Sequence, residues 1–349
     1  MTIAGQQNLA RGARSTLRRT ILLCLLLLGA LCLAIVVASA IGAERLPLTS
    51  ALCALFTGGS SSCGLTLEQS AILFDIRLTR ILLAASVGAS LATAGAGYQA
   101  LLRNPLAEPY LLGISNGAAV GTMVALVFFG TGQSSEWLRP LMAFVGALSS
   151  TFIVYRLARG RTGTSPEKLI LAGVIVTTFL SSAIVFITTM MDATRIRSFT
   201  FWLLGDLSGS STSLLTVAII ASLVGATVLT LYARSLNLLM LGERDAFDLG
   251  VEVERVRLIV FLAASLLVGA SVASSGSVGY VGLVVPHLVR LSLGSDNRTA
   301  VPAAALVGAL FVIVADTIAR TVIAPRELPV GAITALIGAP LFIYLLRRG

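Results

Sequence analysis

The chain has 349 residues, of which 56% are hydrophobic and only 12% are charged, and its mean hydropathy is +0.94. Soluble domains carry about 25% charged residues, so this composition excludes an ordinary soluble protein and predicts a polytopic, all-α membrane protein. The net charge of +9 does not indicate nucleic-acid binding. The basic residues lie in short loops between apolar runs, where the positive-inside rule places them.

A basic tail, residues 1–19, precedes an apolar run from Ile21 to Ile41. The sequence Ala38-Ser39-Ala40 within this run is similar to a signal-peptidase site. A signal-peptide core has only about 7–15 apolar residues, whereas this run is long enough to cross a bilayer. We therefore expect a retained first span with a cytoplasmic N-terminus, and one transmembrane domain over 20–349.

Cys24 and Cys32 are expected to pack inside the first span, whereas Cys53 and Cys63 lie in the loop that follows it. The predicted topology places this loop outside the cytoplasm, where an oxidising environment permits a disulfide. Two cysteines in one loop need not have bridging geometry, so the paired and the free state both stay open. No pattern in the sequence predicts a metal site.

Ten apolar segments are candidate membrane spans, and several of them are unequal or interrupted, which is typical of transporters. The second span is overlong and carries Asp75, Arg77 and Arg80 near its start, and the short eighth span contains Pro286. Most Arg residues lie in the N-terminal tail and in alternate loops, which predicts that both termini are cytoplasmic. The ten segments are 20–41, 69–101, 112–129, 138–158, 167–190, 212–233, 257–275, 281–293, 299–321 and 330–346.

An unusually polar stretch, RNPLAEPYLLGISNGAAVG (103–121), separates the second and third spans. It contains two prolines and three glycines where a plain span would carry Leu and Val. Irregular backbone at membrane depth is tolerated only where protein or a watery cavity satisfies its polar groups. The stretch therefore predicts a re-entrant turn or a broken helix beside a transport path.

A weak internal repeat relates VGASLATAGAGY (87–98) to VGASVASSGSVGY (268–280). In the predicted topology the two segments run in opposite directions, as in an inverted repeat with halves at about 69–191 and 257–347. Small residues recur in many membrane helices, so chance similarity is the alternative explanation.

The cytoplasmic loop 234–256 contains the start of the most charged stretch of the chain, LGERDAFDLGVEVERVR (241–257). Apolar residues stand between its charges, and a glycine at 250 predicts one or two short helices. Mixed charge around an apolar centre is typical of a docking surface for another protein. The alternative is an ordinary solvated loop.

The sequence contains neither an ATP-hydrolysing P-loop nor a clear proton relay. A P-loop needs Gly-Lys followed by Ser or Thr, but Lys168, the only lysine, follows Glu167. Asp316 is the only acid deep within a late span, and we interpret it as a structural hydrogen-bond partner rather than as a proton relay. His287, next to Pro286, is interpreted as a packing or capping residue rather than as a haem or metal ligand. We therefore expect a partner protein to supply energy through the 241–257 loop.

Five ordered stretches, from about residue 69 to the C-terminus, resemble the FecCD-type permeases. These proteins are the membrane subunits of ATP-binding-cassette (ABC) importers for iron–siderophores, haem and cobalamin. The N-terminal tail and the Cys53–Cys63 loop match the family little. The matching stretches are 77–121, FWLLGDLSG (201–209), LGERDAFDLGV (241–251), GSVGYVGLVVPHLVRL (276–291) and ELPVGAITALIGAPLFIYLL (327–346).

The resemblance implies a ten-helix type II ABC importer permease that pairs as a homodimer. A cytoplasmic ABC ATPase dimer, which binds ATP and Mg²⁺, would sit on its coupling helices, and a periplasmic or lipid-anchored binding protein would deliver the ligand. The chain itself would bind no cofactor and would lie in the bacterial cytoplasmic (inner) membrane. The ATPase-coupling residues implied by the resemblance are Leu241, Gly242, Glu243, Arg244, Asp245, Ala246, Phe247, Asp248, Leu249 and Gly250.

The same resemblance implies a cytoplasmic gate at Asn104, Pro105 and Leu106, with a second gate element at Thr164 and Ser165. The sequence departs from the cobalamin permease just after this second element, where Pro166 and Glu167 replace small polar residues.

In the family, outward-facing arginines receive acidic residues of the binding protein. They map onto Arg77, Arg80 and Arg320, and a guanidinium fork suits carboxylates. Snorkelling to the membrane interface is the alternative for Arg77 and Arg80.

A ferric siderophore is the first substrate choice, with haem and cobalamin open. The lower alternative is an ion-coupled secondary transporter. A membrane enzyme is disfavoured because the sequence has no polar catalytic cluster.

Overall fold

A computed structural model describes residues 3–42, 47–57, 63–130, 135–160, 163–209 and 211–348, which are mostly helical. Two short strands, β1 (Arg159–Gly160) and β2 (Gly163–Thr164), form an antiparallel pair. A π-helical segment, Ile72–Leu78, joins α3 to α4, and a 3₁₀ turn, Pro109–Leu112, precedes α5. The helices are α1 (Ile3–Ala40), α2 (Leu48–Thr57), α3 (Leu67–Ala71), α4 (Thr79–Leu101), α5 (Ile114–Phe129), α6 (Ser135–Ala158), α7 (Pro166–Thr188), α8 (Ala193–Leu203), α9 (Thr212–Leu231), α10 (Ala233–Leu241), α11 (Glu243–Asp248), α12 (Val253–Ser275), α13 (Val281–Leu293), α14 (Asn297–Thr321) and α15 (Val330–Arg348).

Eight of the ten apolar segments coincide with one helix to within a few residues. The first lies within the longer α1, which begins at Ile3, and the second covers the end of α3, the π-helical segment and α4. Helices α2, α8 and α10 are additional helices that the sequence did not predict. Within the described part of the chain, six helices have the length and hydropathy needed to cross a membrane by themselves. The count of ten spans and the cytoplasmic placement of both termini stay predictions. The six are Thr20–Ala40, Trp137–Ala158, Pro166–Thr188, Thr212–Leu231, Val253–Ser275 and Asn297–Thr321.

Helix α4 is the centre of the bundle, because nearly every one of its residues is buried. It packs against α9, α12, α13 and α14. Glycines allow the closest approaches: a Cβ atom at Gly88 would overlap the backbone of Gly308, and one at Gly95 would overlap the backbone of Gly282. Without water to drive apolar association, membrane helices depend on such close van der Waals contact.

The two segments of the weak repeat lie on neighbouring helices. Residues 87–98 belong to α4, and residues 268–280 cover the end of α12 and the turn after it. Tyr98 and Ser265 share a 2.6 Å hydrogen bond between the two helices. This packing brings the segments together, while the inverted relation between the two halves stays a prediction.

The polar stretch after α4 meets the turn after α12. The Tyr110 hydroxyl donates to the carbonyl oxygen of Val278 at 2.9 Å and accepts from the Val278 amide at 3.0 Å. The Glu108 carboxylate accepts from the Tyr280 amide at 3.3 Å. Side chains of the polar stretch therefore satisfy backbone groups of the turn after α12, and protein contacts meet the polar groups of this irregular region, as the predicted broken helix requires.

Cys53 and Cys63 form a disulfide bond, with their Cα atoms 5.6 Å apart. The bond joins α2 to the turn that leads into α3. The geometry that the sequence left open is therefore met in this loop. Residues 58–62, which lie between the two cysteines, are outside the described part of the chain.

Candidate functional site

Helix α11 presents an apolar surface surrounded by charge at one end of the bundle. Leu241, Phe247 and Leu249 are 67%, 71% and 62% exposed. Six exposed side chains make up what we call the α11 surface: Leu241, Arg244, Asp245, Phe247, Asp248 and Leu249. Ala246 is fully buried beneath them and seats the helix on the bundle. Large apolar side chains rimmed by charges are typical of a protein contact.

Glycines with positive φ end this short element on both sides. Gly242 has φ 143° and Gly250 has φ 84°. Such backbone conformations favour glycine because a Cβ would be strained there. The two glycines let the chain change direction between α10 and α11 and again between α11 and α12. Helix α11 is therefore a separate short helix on the surface.

Glu243, expected with the other α11 residues to take part in ATPase coupling, pairs with two arginines of the bundle. Its Oε1 atom lies 2.6 Å from Nη2 of Arg257 and 3.3 Å from Nη2 of Arg103. The carboxylate therefore ties α11 to the start of α12 and to the turn that follows α4. ATPase coupling by Glu243 and the other α11 residues stays a prediction.

Arg257 is the centre of this arrangement, and its side chain is only 2% exposed. Its Nη1 atom donates to the backbone carbonyl of Thr164 and lies 2.6 Å from Oε1 of Glu254. The Glu254 carboxylate in turn accepts from the Thr164 amide at 3.2 Å and from its hydroxyl at 3.0 Å. We call Arg103, Thr164, Glu243, Glu254 and Arg257 the Arg257 cluster.

From the sequence, Arg257 was only one of the charges of the 241–257 stretch that was interpreted as a docking element, with no partner assigned to it. Its spacing from Glu254, three positions along a helix, is a weak signal for an ion pair. The partners that bury it lie far away in sequence: Thr164 belongs to the short strand Gly163–Thr164 before α7, and Glu243 begins α11. No pattern within one segment could have assembled them.

The predicted gate residues lie on the two turns that the Arg257 cluster joins. Oδ1 of Asn104 accepts from the Leu106 amide at 2.9 Å, which closes a local turn with Pro105 and Leu106 exposed. Thr164 is only 4% exposed and belongs to the cluster. Ser165 caps α7, because its Oγ accepts from the Lys168 amide at 3.4 Å. The gating role of these residues stays a prediction.

A second network fixes α10 to the bundle. Asn237 donates to Asp296 at 2.7 Å and accepts from the Asn297 side chain at 2.8 Å. Nη2 of Arg290 reaches Oδ1 of Asn297 at 2.9 Å and the carbonyl of Ala96 at 3.1 Å. This network links α10 to α4, α13 and α14, so α10 is held while α11 extends beyond it.

Asp296 keeps its charge in this network across the physiological range. Hydrogen bonds from the Arg298 guanidinium, and further ones from Asn237 and the Arg298 amide, lower the pKa of Asp296 to about 2. A lowered carboxyl pKa means that the stabilisation is present above the ordinary value of about 4. It is lost only as the pH falls toward 2, so neutral conditions leave the network intact.

The three arginines expected at the binding-protein surface are buried. Arg80 lies 2.9 Å from Asp316 and 2.6 Å from Glu327, and Arg320 lies 3.0 Å from Asp316. Arg77 donates to the carbonyl oxygen of Ser39 at 3.1 Å. Asp316 therefore acts as a shared counter-ion in this conformation. The docking role of Arg77, Arg80 and Arg320 stays a prediction.

His287 packs edge-on against Phe342, with ring centroids 6.0 Å apart. Pro286, immediately before it, lies inside α13. Among the described residues, no group of three or more His, Cys, Asp or Glu side chains is placed to hold a metal ion. The ring contact with Phe342 is compatible with a packing role, and the interpretation of His287 as a packing or capping residue stays a prediction.

The model of the FecCD transport family matches residues 23–348. The chain belongs to the FecCD transport family. It is 42% identical over 281 residues to the hemin transport system permease protein HmuU of Yersinia pestis, which covers 79% of this chain and 83% of that protein. It is 44% identical over 276 residues to the cobalamin import system permease protein BtuC of Halobacterium salinarum. This match covers 79% of this chain and 73% of that protein.

A solved structure agrees with the family assignment. An inward-facing metal-chelate type ABC transporter superposes with a TM-score of 0.82 at 30% identity, which covers 93% of this chain and 99% of that one. The FecCD chain is thus a multi-pass permease subunit of an ABC importer of the metal-chelate, haem and cobalamin type. Its family works with an ATPase and a substrate-binding protein.

Proposed function

We propose that two copies of this FecCD chain form the translocation pathway for a ferric siderophore in the bacterial cytoplasmic membrane. ATP hydrolysis on a partner ABC ATPase dimer drives the pathway, and a periplasmic or lipid-anchored binding protein supplies the cargo. The observation that carries the proposal is the α11 surface, an exposed apolar patch on a chain that belongs to an ABC permease family. The chain binds no cofactor; ATP and Mg²⁺ belong to the ATPase.

Haem and cobalamin are the alternative cargos, because the relatives at 42% and 44% identity carry hemin and cobalamin in their names. All three cargos are bulky metal chelates. Nothing in the Arg257 cluster or the gate turns depends on which chelate passes, since those residues contact one another.

The coupling step follows from the contacts of Glu243. When the ATPase moves the α11 surface, the Glu243 carboxylate pulls on Arg257 and Arg103. Arg257 is hydrogen-bonded to Thr164, which is part of the second predicted gate element, and Arg103 precedes Asn104 in the first. One movement of α11 therefore reaches both turns, while the Asn237 network holds α10 in place. Support for this route comes from charge-assisted hydrogen bonds around a buried guanidinium, which are among the stronger polar contacts in proteins.

A transport assay in proteoliposomes tests the function. The chain, its ATPase and its binding protein are reconstituted together, and uptake of a labelled ferric siderophore, haem and cobalamin is compared. We expect uptake of the iron chelate only with hydrolysable ATP, and no effect of a protonophore. Uptake that persists without ATP and stops with the protonophore would instead indicate an ion-coupled secondary transporter. Uptake of haem or cobalamin alone would correct the substrate and leave the class unchanged.

Phe247→Asp is expected to weaken association with the ATPase more than tenfold. Burial of a Phe side chain is worth about 2 kcal/mol, and about 1.4 kcal/mol corresponds to a tenfold change in affinity. The fold is expected to persist, because Phe247 is 71% exposed. Co-purification and a titration of the ATPase onto the reconstituted permease measure the effect. The control is Phe247→Leu, which keeps the apolar contact; equal binding by both variants would remove Phe247 from the docking surface.

A further inference from the structure

A cavity of about 560 Å³ opens at the end of the bundle opposite α11, where α6 and α9 begin and α12 ends. Helix α8 forms one of its walls. Polar and aromatic side chains line it, and those that matter here are Arg139, Arg197, Phe201, Trp202 and Asp206. It is therefore a chamber with both charge and aromatic surface.

A second, apolar cavity of about 190 Å³ continues from the first. The two share Pro140, Leu214, Ala273 and Ser274 as lining residues. The second cavity lies in the seam between α6 and α9, with α12 beneath, and Trp137 stands on its wall. All three helices are long and apolar enough to cross a membrane, so acyl chains have direct access to the seam.

The charge balance of the chamber favours an anion. Arg139 and Arg197 have no carboxylate partner among the described residues, and Arg197 stacks over the Phe201 ring at 5.9 Å. Asp206 is the one acid among the described lining residues, and its Oδ1 accepts from the Ser208 amide at 2.7 Å. Two guanidinium groups against one engaged carboxylate leave a net positive site.

We propose that this chamber and seam together bind one anionic phospholipid. The phosphate lies between Arg139 and Arg197, because guanidinium forks match phosphate oxygens. One acyl chain lies in the apolar seam, and the two tryptophans mark the boundary between headgroup and tail, where Trp is enriched in membrane proteins. The polar chamber and the apolar seam match the two parts of a lipid molecule. A soluble anion would occupy only the chamber.

The site lies away from α11, the Arg257 cluster and the gate turns, and the proposal depends only on membrane insertion of α6, α9 and α12. A lipid bound here would hold α8 against α6 and α9. The test of lipid binding is therefore independent of the identity of the cargo and of the coupling route.

The chain offers a direct probe, because Trp137 and Trp202 are its only two tryptophans and both line the site. The full chain is reconstituted in phosphatidylcholine vesicles that contain a fixed fraction of brominated phosphatidylglycerol or brominated phosphatidylcholine. Bromine on the acyl chains quenches indole fluorescence at contact. We expect brominated phosphatidylglycerol to bind at least about fivefold better than the zwitterionic lipid, a preference that falls as salt screens the charge.

The double variant Arg139→Gln, Arg197→Gln is expected to abolish the preference for the anionic lipid. Arg195→Gln is the matched control: it lies on α8 as well, pairs with Asp192 at 3.2 Å and does not line the chamber. Size-exclusion profiles and melting temperatures verify that the variants are folded. Equal quenching by both lipids in the wild-type protein would overturn the proposal. So would a preference that survives the double variant, or displacement of the lipid by millimolar glycerol phosphate, which would indicate a soluble anion.

Discussion

Replacement of Arg257 with methionine is expected to reduce ATP-driven transport at least about tenfold while the ATPase stays bound, because hydrogen bonds to charged groups contribute about 1.5–3 kcal/mol each. The substitution removes the guanidinium that joins Glu243 on α11 to Thr164 beside α7. The α11 surface itself is unchanged, so docking persists. What is lost is the transmission of its movement.

The fold is expected to tolerate this change. The carboxylates of Glu243 and Glu254 are 38% and 52% exposed, so water can solvate them when the guanidinium is gone. Methionine fills much of the buried volume with a flexible apolar chain. Loss of transport would therefore not follow from unfolding, and melting temperature and expression level verify this point.

The measurement is the number of cargo molecules transported per ATP hydrolysed, in proteoliposomes that contain the permease, ATPase and binding protein. Arg255→Met is the matched control, because Arg255 lies two positions away on α12 and its pair with Glu252 is 69% and 70% exposed. Exposed pairs contribute about 0–1 kcal/mol, so this control should transport normally. A wild-type ratio in Arg257→Met, or an equal defect in Arg255→Met, would contradict the coupling route.

Hydrophobic runs predicted the helices because a bilayer imposes a strong local rule. A span must satisfy its backbone internally and present apolar side chains over its length. The long helices α7, α9 and α14 obey this rule and were predicted to within a few residues. Helix α8 escaped prediction because Thr194, Arg195 and Arg197 interrupt its apolar residues.

The candidate site was predictable only where a single segment carries it. The 241–250 stretch combines charges, apolar residues and a terminal glycine, and it forms the exposed α11 with its flanking turns. The inward turn of Glu243 was not predictable, because its partners Arg103 and Arg257 come from two other segments. A charge at the end of a span has the same pattern whether it faces water or a buried partner.

The buried arginines illustrate the same limit at the opposite end of the bundle. Arg80 and Arg320 lie on different helices, yet both meet Asp316. From sequence, each arginine suits an outward contact with a carboxylate of the binding protein, and Asp316 suits a structural partner. In the fold, both arginines contact a carboxylate of this same chain, that of Asp316, which acts as their structural partner.

Asp316→Ala is expected to destabilise the protein by about 3–5 kcal/mol, the usual effect of removing one partner from a buried ion pair. Asp316 is only 1% exposed, and its loss leaves Arg80 and Arg320, 8% and 6% exposed, with their charges adjacent. The free energy of unfolding or the melting temperature in detergent measures the effect. Glu327→Gln is the control, because Glu327 is 47% exposed and water can replace its contact with Arg80. A shift no larger than in this control would contradict a structural role for Asp316.

The triple variant Arg80→Met, Asp316→Leu, Arg320→Met separates structure from docking. Well-packed apolar residues in place of a buried ionic group are often neutral or stabilising, so we expect this variant to recover most of the stability that Asp316→Ala loses. Affinity for the binding protein, measured on the reconstituted complex, then reports on the arginines alone. A folded triple variant with at least tenfold weaker binding would mean that Arg80 and Arg320 leave Asp316 to engage the partner. Wild-type affinity would mean that the three residues only stabilise the contact between α4 and α14 and do not bind the partner.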